Sequence, residues 1–117
     1  MADVDARCLV VESNFLIGLD LVEILRSIGF GLVDHAADKQ KANELLQNGS
    51  YDIAFIDFDQ GEDIARQIAS QMRLNGGIVI FTSTILDHTD MPSGLGEFKL
   101  LPKPYSTREL REILDLE

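Results

Sequence analysis

The sequence predicts an α/β fold with a doubly wound, five-stranded parallel sheet, and three observations carry that prediction. Short apolar runs alternate with amphipathic stretches from one end to the other, which is the pattern of repeated βα units. The runs Cys8-Leu9-Val10-Val11, Ile53-Ala54-Phe55-Ile56 and Ile78-Val79-Ile80-Phe81 lack period-2 alternation, as strands covered on both faces do. Several runs also stop abruptly at a polar residue, and Tyr51–Asp57 stops at a carboxylate. In open α/β sheets that carboxyl edge is where ligands bind.

Arg7 to Val11 reads as the first strand, followed directly by Glu12. Ile17, Leu21, Ile24 and Ile28 recur at helical spacing, with Ser13 or Asn14 as cap and Gly29 as stop. Gly31 to His35 is a weaker second strand, and Asp38 caps a second helix that closes at Asn48-Gly49. Tyr51 to Asp57 is the third strand. Ile64, Ile68 and Met72 share one face of a third helix, flanked by Ala65 and Ala69 and ended by Asn75-Gly76-Gly77. Ile78 to Phe81 is the fourth strand, ending in Thr82-Ser83-Thr84. The segment from Ile85 to Glu97 contains Pro92, Gly94 and Gly96, so at most a turn or two of helix is expected there, with an irregular, mobile remainder. Phe98 to Leu101 is the fifth strand. Ser106-Thr107-Arg108-Glu109 has capping-box spacing and opens the last helix. Residues 1–117 are expected to form one domain, and five such strands suit the flavodoxin-like order 2-1-3-4-5 with a degenerate fourth helix.

Composition narrows the function. The chain has 117 residues, 45% hydrophobic, enough for one core. Twenty acids against ten Lys and Arg give a net charge of −10, which disfavours direct contact with nucleic acid or anionic membranes. No apolar run approaches a membrane span, and the acidic N-terminus is unlike a signal peptide. The lone cysteine, Cys8, excludes an intrachain disulfide and reads as a core residue. The expected compartment is a reducing cytoplasm.

In the order 2-1-3-4-5, the ends of strands 1, 3, 4 and 5 lie side by side and carry Glu12, Asp57, Thr82 and Lys103. With Asp59 close by, the acids offer oxygens to a hard cation such as Mg²⁺. A carboxylate nucleophile, a hydroxyl and an ammonium are a set for handling phosphoryl groups. Each also has a bland reading. Asp57 suits a strand-end cap, Glu12 a solvated acid, Lys103 a counter-ion, Thr82 a turn cap and Ser13 a helix cap. His35 and His88 read as surface or rim residues, and Tyr105 as packing beside the last helix.

On Leu9-Val10-Val11-Glu12, Asp57, Thr82 and Lys103-Pro104, the whole chain resembles the receiver domain of bacterial two-component response regulators, the CheY-like family. The resemblance implies that Asp57 accepts a phosphoryl group from a histidine kinase or phosphotransfer protein. It also implies Mg²⁺ held by Glu12, Asp57 and Asp59, and phosphoryl contacts from Thr82 and Lys103. A cis Lys103–Pro104 peptide is implied too. The family's partners are a downstream target or output domain, with a homodimer among the arrangements open to it. Such a domain is not an enzyme. The readout surface is expected on the fourth-helix region, the fifth strand and the last helix. No output domain follows the last helix, so the chain is expected to stand alone or to be part of a longer protein.

Three departures are visible. Ser13 stands where the family has a second acid, which weakens Mg²⁺ affinity. Leu100 replaces the aromatic three residues before the lysine. The loop after Asp57 is short and lacks the family's usual pattern. Ser13 and Leu100 support an alternative, a pseudo-receiver acting as a phosphorylation-independent interaction module. A flavin carrier is disfavoured, because Glu12-Ser13-Asn14-Phe15 is no glycine-rich phosphate loop and the chain has no Trp.

Overall fold

In a computed structural model, which describes residues 5–85 and 88–115, the five strands form a single parallel sheet. They are β1 (Arg7–Val11), β2 (Leu32–Ala36), β3 (Ile53–Asp57), β4 (Ile78–Ser83) and β5 (Lys99–Pro102). Their spatial order is β2-β1-β3-β4-β5, as the sequence predicts. The helices are α1 (Phe15–Ile28), α2 (Lys39–Asn48), α3 (Glu62–Leu74) and α4 (Thr107–Ile113).

Helix starts are set by short polar side chains. Asn14 accepts from the Leu16 and Ile17 amides, and Asp38 accepts from Lys41 N–H. Ser106 and Glu109 complete the reciprocal capping box. Gly29 ends α1 at φ 127°, a conformation in which a Cβ would be strained.

Alternation along each strand divides the core in two. Leu9, Val11, Ala54, Ile56, Val79 and Phe81 point to the side covered by α2 and α3. Cys8, Val10, Ile53, Phe55, Ile80 and Leu101 point to the side covered by α1 and α4. Burial pushes the Cys8 thiol up to about 12, with Asp52 adding to the shift, so it is a core residue and not a reactive thiolate.

The face of α1 differs from its sequence pattern. Gly18, Leu21, Val22 and Leu25 are buried, whereas Ile17 and Leu19 are exposed. The helix is apolar nearly all round, so periodicity alone could not choose its inner face.

Among its described residues, the crossover from β4 to β5 holds one 3-10 turn, His88–Asp90, and otherwise irregular chain. The segment is nonetheless anchored. Met91 and Leu95 are buried against the α2–α3 side. Arg66 and Arg73 of α3 donate to its carbonyls, Arg66 to Gly94 O at 2.8 Å and Arg73 to Glu97 O at 2.9 Å. Among the described residues, no helix is long and apolar enough to cross a membrane.

Candidate functional site

Four polar side chains reach the carboxyl edge because each lies two residues beyond a buried residue of the α1–α4 side. Val10 leads to Glu12, Phe55 to Asp57, Ile80 to Thr82, and Leu101 to Lys103. Asp57 and Thr82 are register partners on β3 and β4. Strand parity and strand order together therefore gather the four residues that the sequence nominates.

Lys103 is the hub. Its Nζ lies 2.8 Å from Asp57 Oδ1 and 3.1 Å from Glu12 Oε1, and 3.8 Å from Asp59 Oδ2. The side chains of Lys103, Glu12 and Asp57 are only 15%, 6% and 5% exposed. Burial alone would lower the lysine's pKa, but its bonds to Asp57 and Glu12 outweigh that and raise it. Glu12 is raised as well, first by burial and then by the neighbouring Asp57, against the opposing pull of the Asn14 amide and Lys103. The Lys103–Pro104 peptide is cis.

Asp57 also caps the 3-10 turn Phe58–Gln60 by accepting from Asp59 N–H at 3.0 Å. Its capping role thus coexists with its place in the cluster. Glu12 accepts from Asn14 N–H at 3.1 Å, which steadies its carboxylate at the start of α1. Thr82 is 3% exposed.

Asp59 has a different commitment from its neighbours. Its carboxylate accepts from Ser83 Oγ at 2.7 Å and from Thr84 N–H at 3.0 Å. It ties the turn after β3 to the end of β4. Ser83 is itself fully buried and accepts from Ile85 N–H, while its carbonyl accepts from Lys103 N–H at 2.7 Å. Sequence reading did not nominate Ser83. It becomes visible only once the turn after β3 is folded against the end of β4.

Among the described residues, no three His, Cys, Asp or Glu side chains gather in metal-ligand geometry. Two buried carboxylates side by side do suit Mg²⁺, which takes one or two protein carboxylates and keeps several waters. Glu12 and Asp57 are that pair. Asp59 stands beside them with both oxygens already accepting from Ser83 and Thr84. Ser13 is exposed and stands outside the cluster.

Beside Lys103 an open cavity of about 400 Å³ is lined by Ile17, Asp20, Thr84, Pro104 and Tyr105. Tyr105 packs against the α1–α4 side of the core, and its hydroxyl is shifted upward by burial and by Glu12, Asp20 and Asp57. Leu100 packs on the opposite side of the sheet. Phe81, its register partner, contacts Phe58 at 5.2 Å and Phe98 at 5.1 Å between ring centroids. His35 is more than a rim residue, since its Nε2 lies 3.0 Å from Glu12 O. The side chain of His88 lies outside the described residues.

No family model matches the chain. The Transcriptional regulatory protein PdtaR of Mycobacterium tuberculosis is 32% identical over 119 aligned positions that cover 98% of this chain. The chain spans 58% of the length of that relative. A CheY-like response regulator receiver domain from Methylobacillus flagellatus superposes with a TM-score of 0.79, at 22% identity, covering 94% of this chain and 96% of that one. The response regulator TrrA from Thermotoga maritima, in complex with Mg²⁺ and BeF, gives a TM-score of 0.77, also at 22% identity, with 94% and 96% coverage. The chain therefore has the fold of CheY-like response regulator receiver domains and is similar along nearly its whole length to part of that mycobacterial regulator.

Proposed function

We propose that the chain is a phosphoacceptor receiver of a two-component signalling system, with Asp57 as the residue that takes the phosphoryl group. The observation that carries this reading is the buried Glu12–Lys103–Asp57 cluster at the carboxyl edge, opposite Thr82. A histidine kinase or phosphotransfer protein is the donor. An Asp57 carboxylate oxygen attacks phosphorus, a P–O bond forms, and the P–N bond to the donor's histidine breaks. The electron pair leaves with that nitrogen, and the product is an acyl phosphate on Asp57.

Lys103, already 2.8 Å from Asp57 Oδ1, offsets charge gathering on the phosphoryl oxygens. Thr82 supplies a hydroxyl donor from the adjacent strand. Glu12 and Asp57 would hold Mg²⁺, which when bound neutralises phosphoryl charge. The domain changes its own state and releases no product of turnover, so it is read as a signalling module and not an enzyme. Phosphorylation shifts a two-state equilibrium read at the β4–β5 crossover, β5 and α4. Phe15 and Leu16, 63% and 74% exposed, add apolar surface beside the start of α1 for a protein partner. The buried, single Cys8 suits a reducing cytoplasm.

Incubation with acetyl phosphate and Mg²⁺, followed by intact mass, tests the reading. One added phosphoryl group is expected in the natural sequence and none in Asp57→Asn. A second reading, a phosphorylation-independent interaction module, draws on Ser13, which leaves Glu12 as the lone acid of its turn. Absence of any Asp57-dependent phosphoryl mass would select that reading.

A further inference from the structure

His35 lies in β2, where its register partner is Val10 of β1. Its Nε2 is 3.0 Å from the carbonyl oxygen of Glu12. A carbonyl only accepts, so Nε2 carries the proton in this contact. One residue further along β2, Ala36 O accepts from Glu12 N–H at 3.1 Å. Both backbone polar groups of Glu12 are therefore tied to the edge strand.

The space for the imidazole comes from Gly18. A Cβ at that position would lie 2.3 Å from His35 Nε2 and 2.5 Å from Cε1. Phe15 flanks the ring, with centroids 6.0 Å apart. Glycine in a helix interior is unfavourable relative to alanine, and α1 carries one where the imidazole passes. Because Ser13 is neutral, the direction of a single carboxylate, that of Glu12, decides how well the turn can hold a divalent cation.

We infer that His35 is a positioning residue for Glu12. It fixes the Glu12 peptide so that the carboxylate stays directed at Asp57 when Mg²⁺ binds, and Gly18 is the complementary gap that admits it. The inference rests on the Mg²⁺ reading proposed above. His35 acts through Glu12 and contacts neither phosphoryl group nor metal.

Mg²⁺ titration followed by amide chemical shifts tests this without any phosphoryl transfer. The Asn14 amide, bonded to Glu12, and the Asp59 amide, bonded to Asp57, are the reporters. His35→Ala is expected to weaken Mg²⁺ about tenfold, the usual size for loss of a group that orients a ligand. His35→Gln, whose amide nitrogen reaches as far as Nε2, restores affinity to within about threefold, whereas the shorter His35→Asn does not. Gly18→Ala keeps the histidine but displaces its ring, and weakens Mg²⁺ similarly. The double variant Gly18→Ala/His35→Ala is no weaker than His35→Ala alone, because both act on one contact. Should His35→Ala fail to fold, Gly18→Ala and His35→Gln carry the comparison. If folded His35→Ala binds within about twofold of the natural sequence, or His35→Gln is as weak as His35→Ala, the positioning role is wrong. If the natural sequence shows no saturable shifts, the Mg²⁺ reading fails first and this inference goes with it.

Discussion

Replacing Lys103 by methionine removes the ammonium while keeping most of the side chain's volume. In the native site that ammonium lies 2.8 Å and 3.1 Å from two carboxylate oxygens. At an effective dielectric near 20, each contact is worth about 5–6 kcal/mol in gross Coulomb terms. Desolvation of the lysine cancels much of this, and breaking a buried pair typically costs about 3–5 kcal/mol net. The lower end applies, because the Asn14 and Asp59 amides still serve the two acids. A loss of about 3 kcal/mol corresponds to a drop of roughly 10–15 °C in Tm for a domain of this size.

The loss also has a pH signature. Glu12 already has a raised folded pKa, through burial and then Asp57, and removing Lys103 raises it further. An acid with a raised folded pKa destabilises progressively as it ionises. The deficit of Lys103→Met is therefore small at acid pH and grows toward neutrality. In the natural sequence the raised lysine pKa keeps its contribution intact up to the ordinary 10.5, and the contribution fades as pH rises through the folded value. Urea unfolding followed by circular dichroism, in EDTA at about pH 5 and pH 7.5, measures the deficit and its growth toward neutrality. A variant within about 0.5 kcal/mol of the natural sequence at neutral pH would refute the claim that Lys103 holds the two acids together; the threshold is the scatter expected of an ordinary surface substitution. A deficit that does not change with pH would do the same.

Asp59→Asn weakens two hydrogen bonds to a partly exposed carboxylate, so a modest cost of about 1 kcal/mol is expected. Hydrogen exchange should show the Thr84 amide opening faster, and unchanged protection there would count against the tether. Gly77→Ala places a Cβ 2.4 Å from Met72 Cε and 3.1 Å from Tyr51 O. The methionine tip can yield but the backbone oxygen cannot, so thermal melts should report a loss of about 1–2 kcal/mol. Leu100→Tyr restores an aromatic ahead of Lys103 and is expected to change oligomerisation or partner affinity on phosphorylation. Analytical ultracentrifugation with and without beryllofluoride reads the first of these. No change in either property would place the coupling away from this position.

Much of the fold was legible because buried parallel strands are written as unbroken apolar runs, and the helices before β3 and β4 stop at Asn48-Gly49 and Asn75-Gly76-Gly77. The inner face of α1 was not legible, since Phe15, Leu16, Ile17 and Leu19 are as apolar as the residues that face the sheet. The ends of β2 and β5 lie one residue beyond the expected positions, at Ala36 and Pro102. The Glu12, Asp57, Thr82 and Lys103 cluster followed from strand order and parity alone. The Asp59 tether did not, because Asp59 sits in the turn beyond β3, where strand pairing no longer says which residues meet. His35 could have been suspected from two signals: β2 borders β1 in the expected order, and a glycine interrupts an otherwise strong helix at position 18. Neither signal points to histidine without the geometry.

The two arginines that pin the β4–β5 crossover grip it by peptide oxygens, those of Gly94 and Glu97. A hold of that kind is indifferent to what the crossover's residues are. Between β4 and β5 the chain can change its exposed vocabulary, and with it the face it offers a partner, without letting go of α3. The fixed points are Gly94 and Gly96, at φ 79° and 77°, where an added Cβ would press on Arg66 and Arg73. Drift in this segment is thus channelled: its surface is open to change while the two glycines that lie under the arginines are not.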